Sequence, residues 1–140
     1  MVKDMDDEAL AQCRRAYASR VLTKEGIQDD DALLQAYATV PRERFLGPPP
    51  WRMAGWCGYV DVPSGDASVV YQDALFALQH KRHVNNGSPS LHARGIHKLA
   101  LRRGDMVCHV GAGSGYYTAI MSLLVGAEGC VIAVEFDGEL

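Results

Sequence analysis

HVGAGSGYYTAIMSLLVGAEGCVIAVE, residues His109–Glu135, sets a glycine turn between a strand-like and a helix-like run. MVCHV (106–110), which leads into the turn, is short and mostly apolar, as a buried strand is. YYTAIMSLLVGA (116–127) predicts a helix, and CVIAVE (130–135) predicts a second apolar strand. Neither strand shows a regularly polar face, so both suit a parallel sheet covered on two sides. Strand, turn, helix and strand in succession indicate an α/β fold.

Gly111, Gly113 and Gly115 bear on what the turn holds. A dinucleotide-binding turn needs its third glycine one place later, where the helix packs closely on the sheet. Tyr116 stands there instead, which disfavours a nicotinamide or flavin cofactor and its oxidoreductase chemistry. G-x-G-x-G after a strand is similar to the first motif of class I S-adenosylmethionine-dependent methyltransferases. On that reading Gly111, Ala112, Gly113, Ser114, Gly115 and Tyr116 form the cofactor loop. Glycines let a ligand lie against the backbone, and the helix N-terminus offers free N–H groups for a carboxylate. Glu135 closes the next strand beside the same pocket, placed to accept both hydroxyls of a ribose.

Upstream of the turn, Ser88 is a natural N-cap and Pro89 fits the first helical position. Leu91, Ile96, Leu99 and Ala100 line that helix, with Gly104 as its stop. Residues 41–68 hold five of the six prolines and four glycines. They predict an irregular connector with one short strand near Tyr59–Val62, folded back by Trp51, Trp56 and Tyr59. VVYQDALFAL (69–78) fits strand and helix equally. Two helices come first. One runs from Asp6 to about Leu22 with Leu10, Cys13, Tyr17 and Val21 on one face, closed by Gly26. The other is capped by one of Asp29, Asp30 and Asp31 and ends at Val40, because Pro41 forbids helical geometry before it. The organisation expected is an N-terminal helical region (1–46), a connector (47–84) and the first part of a cofactor-binding α/β core (85–140).

Composition narrows the class. The 140 residues allow one domain at most, and 48% hydrophobic against 22% charged residues is ordinary for a globular protein. A net charge of −3 argues against a nucleic-acid partner. The acidic start has no apolar core of a secretory signal, and no apolar run approaches the ~20 residues that span a bilayer. Cys13, Cys57, Cys108 and Cys130 show no C-x-x-C spacing, and a reducing cytoplasm is the expected compartment. His80 and His83 lack a third ligand of suitable spacing, so no metal site is expected.

VPRERF (40–45), NNGSPSLHARGIHKLAL (85–101) and VCHVGAGSGYYTAIMSLLVG (107–126) together resemble the protein-L-isoaspartate O-methyltransferase family. The resemblance implies the N-terminal portion of a Rossmann-like class I methyltransferase fold, with S-adenosyl-L-methionine as cofactor. It implies methyl transfer to a carboxylate of a damaged protein or peptide, or to a small carboxylate acceptor. Three positions depart from the family pattern. Its substrate loop reads Ser-Gln-Pro, with that serine important for catalysis; here the loop reads Gly87-Ser88-Pro89, leaving Ser88 as a displaced candidate. An acid usually stands two residues before the first glycine, where this chain has His109. The family fold needs about seven strands, and the chain ends five residues past Glu135. A fragment or truncated reading frame is therefore expected, with exposed sheet edges open to self-association. The alternative is a catalytically silent cofactor-binding or interaction module.

Overall fold

The computed structural model describes residues 7–140. Helix α1 (Asp7–Lys24) carries Asp7 and Glu8 in its first turn, against the positive end of its dipole. The expected start at Asp6 lies outside the described residues. Tyr17, Ala18, Val21 and Leu22 form its buried face, with Leu10 and Cys13 packed at the margin. The helix runs two residues past the expected end before Gly26 turns the chain at φ +71°.

Asp30 is the acid that caps α2 (Asp31–Thr39), accepting from the Leu33 N–H at 3.0 Å. Val40 is extended, as the proline after it requires. A 3₁₀ turn follows at Arg42–Phe45.

The connector is more ordered than its composition suggests. Strands β1 (Arg52–Gly55) and β2 (Gly58–Asp61) form an antiparallel hairpin, pairing Arg52 with Asp61 and Gly55 with Gly58. Trp51 is buried and donates to the Gly47 carbonyl, whereas Trp56 stands fully exposed at the hairpin tip and anchors nothing. The ambiguous run divides into a 3₁₀ turn, Ala67–Val70, and a short strand β3 (Ala77–Gln79). Strand β3 pairs antiparallel with β4 (Val84–Asn85).

Helix α3 (Pro89–Leu99) has Ser88 as N-cap and Pro89 first. It stops at Ala100, which takes φ +49°, and not at Gly104, whose φ of +87° serves the turn into β5. Its buried residues are Pro89, Ser90, Ala93 and Ile96; Leu91 and Leu99 face outward, against expectation. The parallel pair β5 (Met106–Val110) and β6 (Cys130–Val134) is joined by α4 (Tyr116–Val125), a βαβ unit.

The core lies between α1, α2 and α4, where Tyr17, Leu33, Tyr37, Val70, Phe76 and Ile120 are fully enclosed. Arg42 is buried in it. Its guanidinium donates to the carbonyls of Val70, Gln72 and Ala74 at 2.6, 2.6 and 2.7 Å and lies beside the rings of Tyr17, Phe76 and Tyr116. These bonds gather the 70–74 segment onto the helices.

The β5–β6 sheet is covered on one face only, which corrects the expectation of two covered faces. Val107 and Val131 point inward, while Met106 (77% exposed), Val110 (76%), Ile132 (48%) and Val134 (46%) share the bare side. Cys108 and Cys130 lie on this exposed face, not inside a core.

Candidate cofactor and acceptor site

The glycine turn is a left-handed device. Gly111, Gly113 and Gly115 take φ of +72°, +56° and +91°, conformations that cost an L-residue about 1–2 kcal/mol each. Space is not what demands glycine at the first position, since a Cβ on Gly111 would meet nothing within 4 Å. The turn is tied to the sheet where Val134 O accepts from Gly111 N–H at 2.8 Å and Ala112 N–H at 3.2 Å. Gly115 then becomes the N-cap of α4 without a side-chain bond, so the first N–H groups of that helix remain for a ligand.

Glu135 lies immediately past β6 and is exposed. One carboxylate oxygen accepts from the Gly113 N–H at 2.7 Å, the other from the Asp137 N–H at 3.0 Å. These bonds, first that from Asp137 and then that from Gly113, hold its carboxyl below the usual range, so it stays ionised in mild acid. The acid that the spacing placed beside the turn is thus hydrogen-bonded to the turn's second glycine.

A cleft of about 210 Å³ opens beside the turn, lined by Gly111, Ala112, Gly113 and Ser114 on one side and Asn85, Asn86, Gly87 and His92 on another. Tyr116 backs it from the core, with its ring edge-on to Phe45 and its hydroxyl 3.4 Å from that of Tyr17. Tyr117 is buried too, and donates to the Gly87 carbonyl at 3.1 Å. Burial raises both phenols above their ordinary range, keeping them un-ionised.

His109 projects from β5 into the cleft, with Nδ1 2.8 Å from Thr118 Oγ1. Burial, helped by His92, pushes its imidazole below the ordinary value, so it is neutral at pH 7. Ser88 is not among the cleft-lining residues: its Oγ accepts from Leu91 N–H at 3.4 Å as the cap of α3. The neighbouring Gly87 lines the cleft in its place. His80 and His83 fall in a 3₁₀ turn and a left-handed residue outside this cleft.

Two groups escaped the sequence reading. Arg42 was visible only as a letter in VPRERF, since nothing in spacing marks a buried guanidinium. Asn86 secures the cleft wall across from the turn, its Oδ1 accepting from Phe76 N–H at 2.8 Å while its own N–H donates to Phe76 O at 3.0 Å. The Asn-Asn-Gly run before a helix cap was the available signal, because such residues form turns.

The sequence model described as Protein-L-isoaspartate(D-aspartate) O-methyltransferase matches residues 17–140. The chain belongs to that family. The isoaspartate methyltransferase of Thermotoga maritima is 30% identical over 122 residues, 86% of this chain and 33% of that protein. Its counterpart from Methanosarcina mazei is 32% identical over 124 residues, 89% of this chain and 44% of that one. A solved protein-L-isoaspartate O-methyltransferase superposes with a TM-score of 0.65 at 28% identity, covering 89% of this chain and 35% of its own. A Plasmodium falciparum structure, titled a putative member of the family in complex with S-adenosyl-L-homocysteine, gives 0.64 at 22% identity, covering 91% and 50%. That last likeness bears on the fold alone. The chain spans about a third to a half of the length of these isoaspartate methyltransferases. Their architecture is the Rossmann-like class I methyltransferase fold, of which the βαβ unit and its helical region here are a part.

Proposed function

We propose that the chain is the donor-binding portion of an S-adenosyl-L-methionine-dependent methyltransferase that esterifies a carboxylate of an isoaspartate-damaged protein or peptide, a repair reaction. The observation that carries this reading is the link between the turn and Glu135, 2.7 Å from Gly113 N–H to carboxylate. Gly111 to Tyr116 would hold the donor, with the α4 N-terminus receiving its methionine carboxylate. Glu135 would exchange its loop contacts for the ribose hydroxyls.

A sulfonium is an activated donor, and a carboxylate with a reference pKa near 4 is already anionic at neutral pH. The protein then supplies proximity and alignment and no general base is needed. That chemistry tolerates the loss of a serine hydroxyl at residue 87, with acceptor alignment the property affected. The free cysteines fit a reducing cytoplasm, and no described helix is long and apolar enough to cross a membrane. The bare sheet face favours a second reading, a cofactor-holding or interaction module whose activity needs more chain against that face.

Calorimetric titration with S-adenosylhomocysteine and, separately, with NADH tests the proposal. Binding of the thioether alone is expected. NADH alone would overturn the donor assignment, and binding of neither would favour the silent module.

A further inference from the structure

Gly87 and His92 compete for one volume. A Cβ built on Gly87, at φ +75°, would lie 2.4 Å from Cε1 of His92 and 3.2 Å from its Nε2. The ring is fixed in place by a parallel stack on Tyr117, with centroids 3.7 Å apart and planes 4° apart. Its Nδ1 lies 2.8 Å from the Ser88 carbonyl oxygen. A carbonyl can only accept, so Nδ1 carries the proton and Nε2 is the nitrogen left for a ligand. The same ring lines the cleft beside the glycine turn. An imidazole edge therefore fills the place that a side chain on residue 87 would enter.

We propose that His92 is the acceptor-recognition residue of this cleft, its Nε2 meeting the carboxylate to be methylated. The inference rests on the methyl-transfer reading above and deepens it. A bare Nε2 offers a lone pair and repels a carboxylate oxygen, whereas the protonated ring offers an N–H and a charge. Acceptor capture is thus coupled to uptake of one proton. The groups around the ring reinforce this. Tyr117 from α4 is un-ionised, His109 from β5 carries like charge when protonated, and Asn85, Asn86 and Gly87 are uncharged. Glu135, past β6, acts on His109. Burial holds His92 below the ordinary imidazole value, so the unliganded ring is neutral at pH 7 and a bound carboxylate draws its proton in. The methyl carbon then passes from sulfur to a carboxylate oxygen. The S–C electron pair returns to sulfur, and the proton stays on Nε2 until the neutral ester leaves.

The test is calorimetric binding of a peptide with one isoaspartate to the full chain saturated with S-adenosylhomocysteine, between about pH 5.5 and 8. Wild-type affinity is expected to fall by up to about tenfold per pH unit on the alkaline side, with about one proton taken up per peptide bound. His92→Gln, which keeps an N–H donor that does not titrate, should flatten the profile. His92→Leu should bind about tenfold or more weaker at pH 6, a loss the size of one charged hydrogen bond. Should His92→Leu fail to fold, His92→Ala replaces it, and is expected to bind without a pH slope. A wild-type slope in His92→Gln, or wild-type affinity in His92→Leu, would overturn the inference. Protein that holds S-adenosylhomocysteine but ignores the peptide at pH 6 sinks the inference and leaves the donor assignment standing. Protein that holds neither sinks both.

Discussion

Glu135 and Arg42 show two ways in which one side chain organises many neighbours. Glu135 is solvent-facing, and its carboxylate ties the glycine turn to the segment after β6. Replacing it by alanine removes the charged acceptor that the turn and a ribose would share. Donor affinity in the Glu135→Ala protein is therefore expected to fall by about tenfold or more, read by titration with S-adenosylhomocysteine. Unchanged affinity would leave the sugar without its assigned partner. Arg42 works from inside. Arg42→Ala leaves the buried Val70 carbonyl and the partly buried carbonyls of Gln72 and Ala74 without their donor, the buried one alone at a cost of about 1–3 kcal/mol. Urea unfolding should show a loss of about 2 kcal/mol or more, or no folded protein at all. A loss under about 1 kcal/mol would mean water reaches those carbonyls.

Element boundaries were legible wherever a residue's own chemistry sets them. Asp30 caps α2, Pro41 ends it, Ser88 caps α3, and Gly115 opens α4, all through local backbone geometry. Boundaries set by neighbours were not. Helix α3 stops at Ala100 although alanine pays for a left-handed φ, because the chain must turn there to reach β5. The β1–β2 hairpin hides in a proline- and glycine-rich stretch because its order comes from cross-strand pairing and from the β1 contact with β3. Ser88 carries a prediction at this scale. As a cap, Ser88→Ala should cost about 1 kcal/mol in denaturant unfolding and leave the affinity of the folded variant for S-adenosylhomocysteine unaltered. A large fall in that affinity would give Ser88 a part in the cleft beyond capping α3.

The bare face of the β5–β6 sheet governs the behaviour of the molecule as a whole. Met106, Val110, Ile132 and Val134 form one apolar surface, continued by the fully exposed Phe136. Such a surface on a two-stranded sheet with open edges seeks cover. The chain alone is expected to sediment as a concentration-dependent oligomer, and Ile132→Lys should shift it toward monomer without disturbing the glycine turn. A monomer at high concentration would show that this face tolerates water.

Chain-local information was enough for the βαβ unit, the glycine turn, the capping positions and the placing of Glu135 beside that turn, because each follows from turn chemistry, hydrophobic period and counted spacing. Through-space information was required for the rest. Arg42 under three carbonyls, His92 in the volume beside Gly87, the exposed Trp56 and the one-sided sheet all join residues distant in sequence or depend on which surfaces find a partner. No periodicity encodes such meetings; only the packed chain, with its competing volumes and polar groups in need of partners, settles them.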